Sequence, residues 1–210
     1  MDTDLRKQML LEVGKVYFGK HSYDEISIED LAKEAGISKG LLYHYFPTKR
    51  LFYIEIIRAA TDHMLKVTDL SADLPPLERL IYGLEAYLVF AEENAATYIT
   101  LLRSGIGVDP EVTKIVERSR QVITERVLDS LGLPKKPPAR VALALRGWIG
   151  FSEAVTLGWL EGERLPREDV RKTIAQQLAV TLACAGQSAG VAKALLGRFG
   201  KLGAILKELK

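Results

Sequence analysis

The chain has 210 residues, of which 48% are hydrophobic and 27% charged, so it can bury a sizeable core and is not disordered throughout. Its 29 basic and 27 acidic residues give a formal net charge of +2, which excludes a histone-like protein that binds nucleic acid over its whole surface. A single cysteine, Cys184, excludes an intramolecular disulfide and a cysteine-based zinc site, and it is typical of a reducing compartment. The three histidines have no spacing typical of a helical metal pair, so no metal site is predicted. We also expect no cofactor.

The N-terminal residues Met1–Asp4 are acidic and do not resemble a signal peptide. The most apolar stretch, residues 141–160, is interrupted by Arg146 and Glu153, so no membrane span is predicted. We therefore expect a cytoplasmic protein.

Apolar residues recur at three- and four-residue steps along almost the whole chain, and no two-residue alternation is long enough for a convincing strand. The pattern predicts an all-α fold of nine or ten helices. The predicted helices pass through residues 5–17, 27–35, 38–46, 49–70, 77–88, 95–102, 110–131, 139–161 and 167–185, with a tenth from about residue 190.

The excess positive charge lies in the last 21 residues. They contain five basic residues and one acidic residue, whereas residues 1–70 contain 10 basic and 11 acidic residues. The segment 190–210 also has an apolar stripe with lysines opposite, which predicts an amphipathic tail helix. Two interpretations stay open for it: packing on its own domain, or lying on an anionic membrane.

Residues 27–46 have the spacing of a helix-turn-helix. Ser27 followed by Asp30 predicts an N-terminal cap of the capping-box kind, and Ser38 predicts the cap of the next helix. Ala32 is small where the two helices would cross, and Gly36 can adopt the positive φ of a tight turn. The residues expected to face the core are Leu31, Ala35, Ile37, Leu42, Tyr45 and Phe46.

The run from Gly36 to Lys49, preceded by residues 26–32, closely resembles the N-terminal domain of TetR-family transcriptional regulators. Phe18, Gly19 and Tyr23 match the usual end of the family's first helix, and the resemblance covers about residues 5–60. One departure is Ile28, which is apolar where many members place a hydroxyl or a charge near the DNA backbone. The resemblance implies an N-terminal three-helix helix-turn-helix domain over residues 1–47. It also implies a C-terminal helical domain, residues 48–210, for ligand binding and dimerisation.

The second helix of such a motif enters the major groove, where its N-terminal residues meet base edges. We expect Ser38 and Lys39 to contact bases, Lys39 at guanine O6 and N7, while Gly40 allows close approach and Leu41 touches a thymine methyl. For His44 and for Lys49, the alternative is an ordinary solvated side chain that makes no contact with DNA. The remaining expected contacts are Tyr43 and His44 to bases or phosphates, and Tyr45, Lys49 and the helix start at Ser27 to phosphates.

Aromatic and polar residues on the apolar helices of the C-terminal domain are candidates for an effector pocket between helices. For each of them, simple filling of the core is the alternative. The candidate lining residues are Tyr87, Phe90, Tyr98, Arg103, Trp148 and Ser152.

A row of small residues on one predicted helix indicates close approach by a neighbouring backbone, because each interior glycine costs about 1 kcal/mol relative to alanine. Together with an apolar stripe on the next helix, this row predicts a four-helix dimer interface, which the family resemblance also implies. The alternative is internal packing. The residues are Gly147, Gly150, Ala154 and Gly158 on the first helix, and Ile174, Leu178, Thr181 and Leu182 on the second.

The sequence therefore predicts a homodimeric transcriptional regulator that acts as a repressor rather than as an activator. We expect it to bind a palindromic double-stranded operator and to be released from it by a small apolar or amphipathic effector. A helical sensor or carrier that binds a small molecule but no operator is the alternative. An all-helical enzyme is a third class, but the nucleophile-elbow, zinc-protease and phosphate-loop motifs are absent from the sequence, so we predict no enzymatic activity.

Overall fold

The computed structural model describes residues 3–21, 23–71, 73–103, 109–162 and 165–185, and within these ranges the regular structure is helical throughout. The predicted all-α fold is confirmed, while the predicted tail helix at 190–210 lies outside the described residues. The helices are α1 (Thr3–Lys20), α2 (Ile28–Glu34), α3 (Lys39–Tyr45), α4 (Lys49–Val67), α5 (Pro76–Glu93), α6 (Ala95–Arg103), α7 (Pro110–Ser130), α8 (Ala139–Glu161) and α9 (Arg167–Ala185).

The chain divides into two compact units, which are not continuous in sequence. The N-terminal unit consists of residues 1–64 and 92–118, and the C-terminal unit consists of residues 65–91 and 119–210. Packing therefore groups α6 and the first part of α7 with the helix-turn-helix. The boundary at residues 47 and 48 remains a prediction about how function is divided along the chain.

The core of the N-terminal unit explains why the helix-turn-helix is stable despite two helices of only seven residues each. Leu42 and Phe46, both assigned to the core from the sequence, are 0% and 1% exposed. The ring of Phe46 lies 4.3 Å from that of Phe52 on α4, measured between centroids. Ile28 is buried in the same cluster, so its departure from the family pattern adds an apolar core contact.

Helix α6 belongs to this unit because it packs tightly on α1. Two threonine hydroxyls of α6 donate to α1 carbonyls: Thr97 to Lys15 at 3.4 Å and Thr100 to Phe18 at 3.2 Å. At the crossing, a Cβ added to Gly19 would lie 2.6 Å from the Cβ of Ala96. Only glycine therefore permits this helix separation without displacement of α6.

The C-terminal unit is organised around α8 and α9, with α5 and the later part of α7 packed against the same core. The buried indole of Trp148 on α8 donates from Nε1 to the carbonyl of Ile174 on α9 at 2.9 Å. Glu85 on α5 accepts from Arg167 at 2.8 Å and from Arg171 at 3.1 Å, which ties α5 to the start of α9.

One part of the predicted dimer surface is corrected by the burial of α9. Ile174, Leu178 and Leu182 are each 0% exposed, because they pack against the core of their own chain. They offer no surface to a partner. The exposed face of α9 instead carries Val180, which is 56% exposed.

Candidate nucleic-acid interface

The turn between α2 and α3 is built as its sequence predicts. Gly36 has a φ of +64°, in the left-handed region that favours glycine. The amide of Ile37 donates to the carbonyl of Ala32 at 3.0 Å. The amide of Gly36 donates to the carbonyl of Lys33 at 3.1 Å. These two hydrogen bonds form a Schellman motif, which ends α2 and fixes the direction in which α3 leaves.

Both predicted serine caps are present. The amide of Asp30 donates to Ser27 Oγ at 3.1 Å, and Ser27 Oγ donates in turn to the Asp30 carboxylate at 2.5 Å. The amide of Leu41 donates to Ser38 Oγ at 3.1 Å. Since Ser38 Oγ acts as the acceptor of its cap, its hydroxyl proton is the group that can donate to a base.

Helix α3 has one face in the core and one in solvent. Ser38, Lys39, Gly40, Tyr43 and His44 are exposed, whereas the sequence-predicted contacts Leu41 and Tyr45 are half-buried. These exposed residues lie at the start of α3 and in its second turn. Most residues predicted to contact DNA therefore share one accessible surface.

The ammonium of Lys39 donates to the carboxylate of Glu29, at the start of α2, and lies 5.8 Å from the centre of the Tyr43 ring. The hydrogen bond from Lys39 lowers the pKa of Glu29, and the same bond raises the pKa of Lys39. Both groups thus remain charged at neutral pH. Sequence reasoning missed Glu29, because a ten-residue separation carries no periodic signal.

Lys49 has a structural role that its sequence pattern did not reveal. Its ammonium donates to the backbone carbonyls of Tyr23 at 2.9 Å and Ile26 at 3.0 Å, and it lies 4.4 Å from the centre of the Tyr23 ring. Lys49 thereby fixes residues 23–26, just before α2. The predicted phosphate contact stays a prediction, to be made by the remaining ammonium proton.

Arg50 joins the start of α4 to the start of α7 by a bidentate ion pair with Asp109. The same carboxylate accepts from the amide of Glu111 at 2.9 Å, so the predicted N-cap of α7 is present. The hydrogen bond from Arg50 is the main reason that the pKa of Asp109 is lowered.

The six residues predicted to line an effector pocket are divided between the two units. Tyr98 and Arg103 belong to the N-terminal unit, and the other four belong to the C-terminal unit. Trp148 and Ser152 are buried, and Ser152 donates to the carbonyl of Trp148 at 2.9 Å. The polar atoms of these two side chains therefore bond within the protein, and their contact with a ligand stays a prediction.

The small residues of α8 form an exposed stripe. Gly147, Gly150 and Ala154 are exposed, and Leu143, one turn earlier, is 71% exposed. A Cβ added to Gly147, Gly150 or Gly158 would meet no atom within 4 Å. The close neighbour predicted for these glycines is therefore not supplied by the described part of the same chain.

In the described ranges, no group of histidine, cysteine, aspartate and glutamate side chains is arranged to hold a metal ion. Nor does any helix within them combine the length and hydrophobicity needed to cross a membrane.

The helical architecture and the helix-turn-helix together define a DNA-binding transcriptional regulator. Residues 10–56 match the family model described as bacterial regulatory proteins of the tetR family, and residues 76–181 match the tetracyclin repressor-like C-terminal domain. The chain therefore belongs to the TetR family of transcriptional regulators. It is not an enzyme.

Two solved structures and one curated relative are similar to the chain. A TetR-family regulator from Streptomyces coelicolor has a TM-score of 0.85 and 30% identity, over 100% of this chain and 99% of that one. A TetR-like regulator from Rhodococcus sp. RHA1 has a TM-score of 0.70 and 22% identity, over 87% and 98% of the two chains. The transcriptional activator FasR of Mycolicibacterium smegmatis is 23% identical over 78% of this chain and 76% of its own length.

Proposed function

We propose that the protein is a homodimeric, ligand-responsive repressor whose two helix-turn-helix units bind the half-sites of a palindromic operator. In a dimer of this kind the two recognition helices enter successive major grooves, about 34–36 Å apart. Binding of a small apolar or amphipathic effector in the C-terminal domain favours a dimer in which this spacing is wrong. Because its target is chromosomal DNA, the protein acts in the cytoplasm.

The exposed face of α3 carries this proposal. Ser38, Lys39 and Tyr43 are accessible together, and they rest on a helix whose opposite face is anchored by Leu42 and Phe46. Such rigid support holds donors and acceptors in one orientation, which sequence-specific contacts to base edges require. The contacts expected from Gly40 and His44 would be made from the same surface, whereas Leu41 is half-buried.

The exposed stripe of α8 and Val180 of α9 support the proposed dimer. Exposed apolar groups on two adjacent helices are what a four-helix interface between two chains would cover. Gly147, Gly150 and Ala154 would let the helices of the two chains approach closely. Thr181, the residue after Val180, is half-buried.

The effector proposal rests on the aromatic residues of the C-terminal unit. Tyr87 is half-buried against the core and Phe90 is 6% exposed, so each has a large apolar surface inside the unit. An apolar ligand would be bound by such rings. The effector acts only through different affinities for the DNA-binding and released arrangements.

Selection from a pool of random duplexes tests the DNA-binding part of the proposal. Enrichment of an inverted repeat is expected, and binding to it should weaken steeply with salt because phosphate contacts release counterions. Substitution of Ser38 or Lys39 should change the enriched sequence. A selection that enriches no inverted repeat would favour the alternative function, a small-molecule sensor or carrier.

Two further measurements test the effector and the direction of regulation. Native mass spectrometry of the purified protein would reveal a retained molecule, and adding that molecule should release the enriched duplex. In a reconstituted transcription assay the protein alone should reduce transcript from a promoter containing the duplex. An increase in transcript would instead make it an activator, which is what the name of FasR says of that relative.

A further inference from the structure

Glu29 lies on the same side of the motif as the residues expected to read DNA. It is in the first turn of α2, and Lys39 is the first residue of α3. Their side chains are 57% and 52% exposed, yet they form an ion pair with each other across the two helices. The starts of α2 and α3 therefore present an anion and a cation side by side.

The ion pair contributes little to holding the motif together. Exposed pairs of this kind add little to the stability of a fold, because water screens them. The two helices are already joined by the turn at Gly36 and by the burial of Leu31 and Leu42. A carboxylate on a surface that approaches phosphates would also be repelled. A role in recognition explains its position better than a role in stability.

The edge of a G·C pair in the major groove has the complementary arrangement. Guanine offers O6 and N7 as acceptors, and the cytosine paired with it offers its N4 amino group as a donor. Guanine O6 and cytosine N4 are hydrogen-bonded to each other, so they lie about 2.9 Å apart. The ammonium and carboxylate of an ion pair have a similar separation. Both charges can therefore be satisfied by one base pair without breaking the ion pair.

We propose that Glu29 and Lys39 together read one G·C base pair in each half-site, with Lys39 donating to guanine and Glu29 accepting from the N4 amino group of its cytosine. The inference rests on the proposed sequence-specific DNA binding. It adds to that function a specificity-determining residue on α2 and the base pair that it selects.

A G·C pair fits this ion pair better than an A·T pair does. Thymine O4 and adenine N6 also place an acceptor beside a donor, but the ammonium of Lys39 would then have one acceptor instead of two. The thymine methyl group lies beside that acceptor. The ring of Tyr43, whose centre lies 5.8 Å from the Lys39 ammonium, supports the cation by a cation–π contact.

The test measures affinities of the wild type and of Glu29→Ala for the enriched operator and for duplexes in which each base pair of the half-site is replaced in turn. Fluorescence anisotropy at fixed salt gives each affinity. The wild type should prefer G·C at one position by about tenfold or more, since one good bidentate contact discriminates by about 1–3 kcal/mol. Glu29→Ala should reduce the preference at that position to within about threefold and leave the other positions unchanged.

Two variants separate base reading from a general charge effect. Glu34→Ala removes the same charge from an exposed position on the same helix and should leave every preference unchanged. The double variant, Glu29→Ala with Lys39→Ala, should lose no more discrimination at the G·C position than the more affected of the two single variants. The losses should not add because both residues read one base pair.

A different result would overturn the inference. Unchanged base preferences in Glu29→Ala, with tighter binding to every duplex, would mean that Glu29 only neutralises Lys39. Additive losses at two different positions would mean that the residues read separate base pairs. If the wild type enriched no motif at all, the proposed function would fail together with this inference, whereas the first two results overturn the inference alone.

Discussion

Arg50 donates from Nε and Nη2 to both carboxylate oxygens of Asp109, at 2.6 and 2.9 Å. The contact joins the first turn of α4, the helix that follows α3, to the residue that caps α7. Together with the hydrogen bonds of Thr97 and Thr100 to α1, it makes α6 and the start of α7 part of the same compact unit as the helix-turn-helix.

Replacing Asp109 by asparagine should destabilise the protein at neutral pH and have progressively less effect in acid. The Arg50 hydrogen bond lowers the pKa of Asp109 in the folded state, so its stabilising contribution is fully present above the unfolded pKa of about 3.9. The contribution is lost as pH falls through the lower, folded pKa. Melting temperatures of the wild type and the variant should therefore differ by a constant amount from pH 7 to about pH 4 and converge below it.

Asp62→Asn is the matched control, because Asp62 is an exposed carboxylate on α4. Its melting temperature should follow that of the wild type at all pH values. Asparagine at position 109 still caps α7, so the variant removes the charge and keeps the cap. Melting temperatures of wild type and Asp109→Asn that coincide at pH 7 would contradict a stabilising ion pair.

Gly19→Ala should destabilise the protein by about 1–3 kcal/mol, since the new Cβ would lie 2.6 Å from the Cβ of Ala96 and force α1 and α6 apart. Gly83→Ala is the control in the middle of α5, where an added Cβ meets no atom within 4 Å. That variant should gain about 0.5–1 kcal/mol from alanine's helix propensity. Urea denaturation measures both free energies of unfolding. Equal gains in the two variants would contradict the close crossing.

Lys49→Met should lower the free energy of unfolding by about 1–3 kcal/mol, because the carbonyls of Tyr23 and Ile26 lose their donor. Methionine keeps the apolar stem beside the Tyr23 ring, so the loss reports the ammonium. Lys33→Met, at an exposed position on α2, should change the free energy by no more than about 0.5 kcal/mol. If the two variants were equally stable, Lys49 would have no role in fixing the segment before α2.

Val180→Asp should convert the proposed dimer into a folded monomer. The substitution puts a charge on an exposed apolar face of α9, and burying that charge in an interface without a partner is costly. Val16→Asp is a closely matched control, since Val16 on α1 is 54% exposed against 56% for Val180. Sedimentation velocity should show a dimer for the wild type and Val16→Asp, and a monomer for Val180→Asp. A dimer in all three would place the interface elsewhere.

The features predicted correctly from the sequence are those determined by neighbouring residues. The caps at Ser27, Ser38 and Asp109 and the turn at Gly36 each depend on two to six consecutive positions, and each is present in the structure. The burial of Leu42 follows from the same local spacing.

The features that sequence analysis missed or misplaced depend on which distant residue covers a side chain. Helix α9 has apolar residues on more than one face, so periodicity alone did not distinguish the buried Ile174 from the exposed Val180. Lys49 follows α3 closely in sequence, which led to the prediction of a phosphate contact. Only tertiary structure brings it to the carbonyl of Ile26. Glu29 meets Lys39 only when the turn at Gly36 has formed.

The most direct test of a dimer that binds two half-sites is to change the spacing between them in the enriched operator. Inserting five base pairs rotates one half-site by about half a helical turn, and inserting ten restores the face of the duplex. Affinity measured by anisotropy should fall by at least about a hundredfold with the first insertion, because one dimer can no longer contact both half-sites. Equal affinity for the original and five-base-pair operators would contradict a dimeric regulator that binds through two helix-turn-helix units.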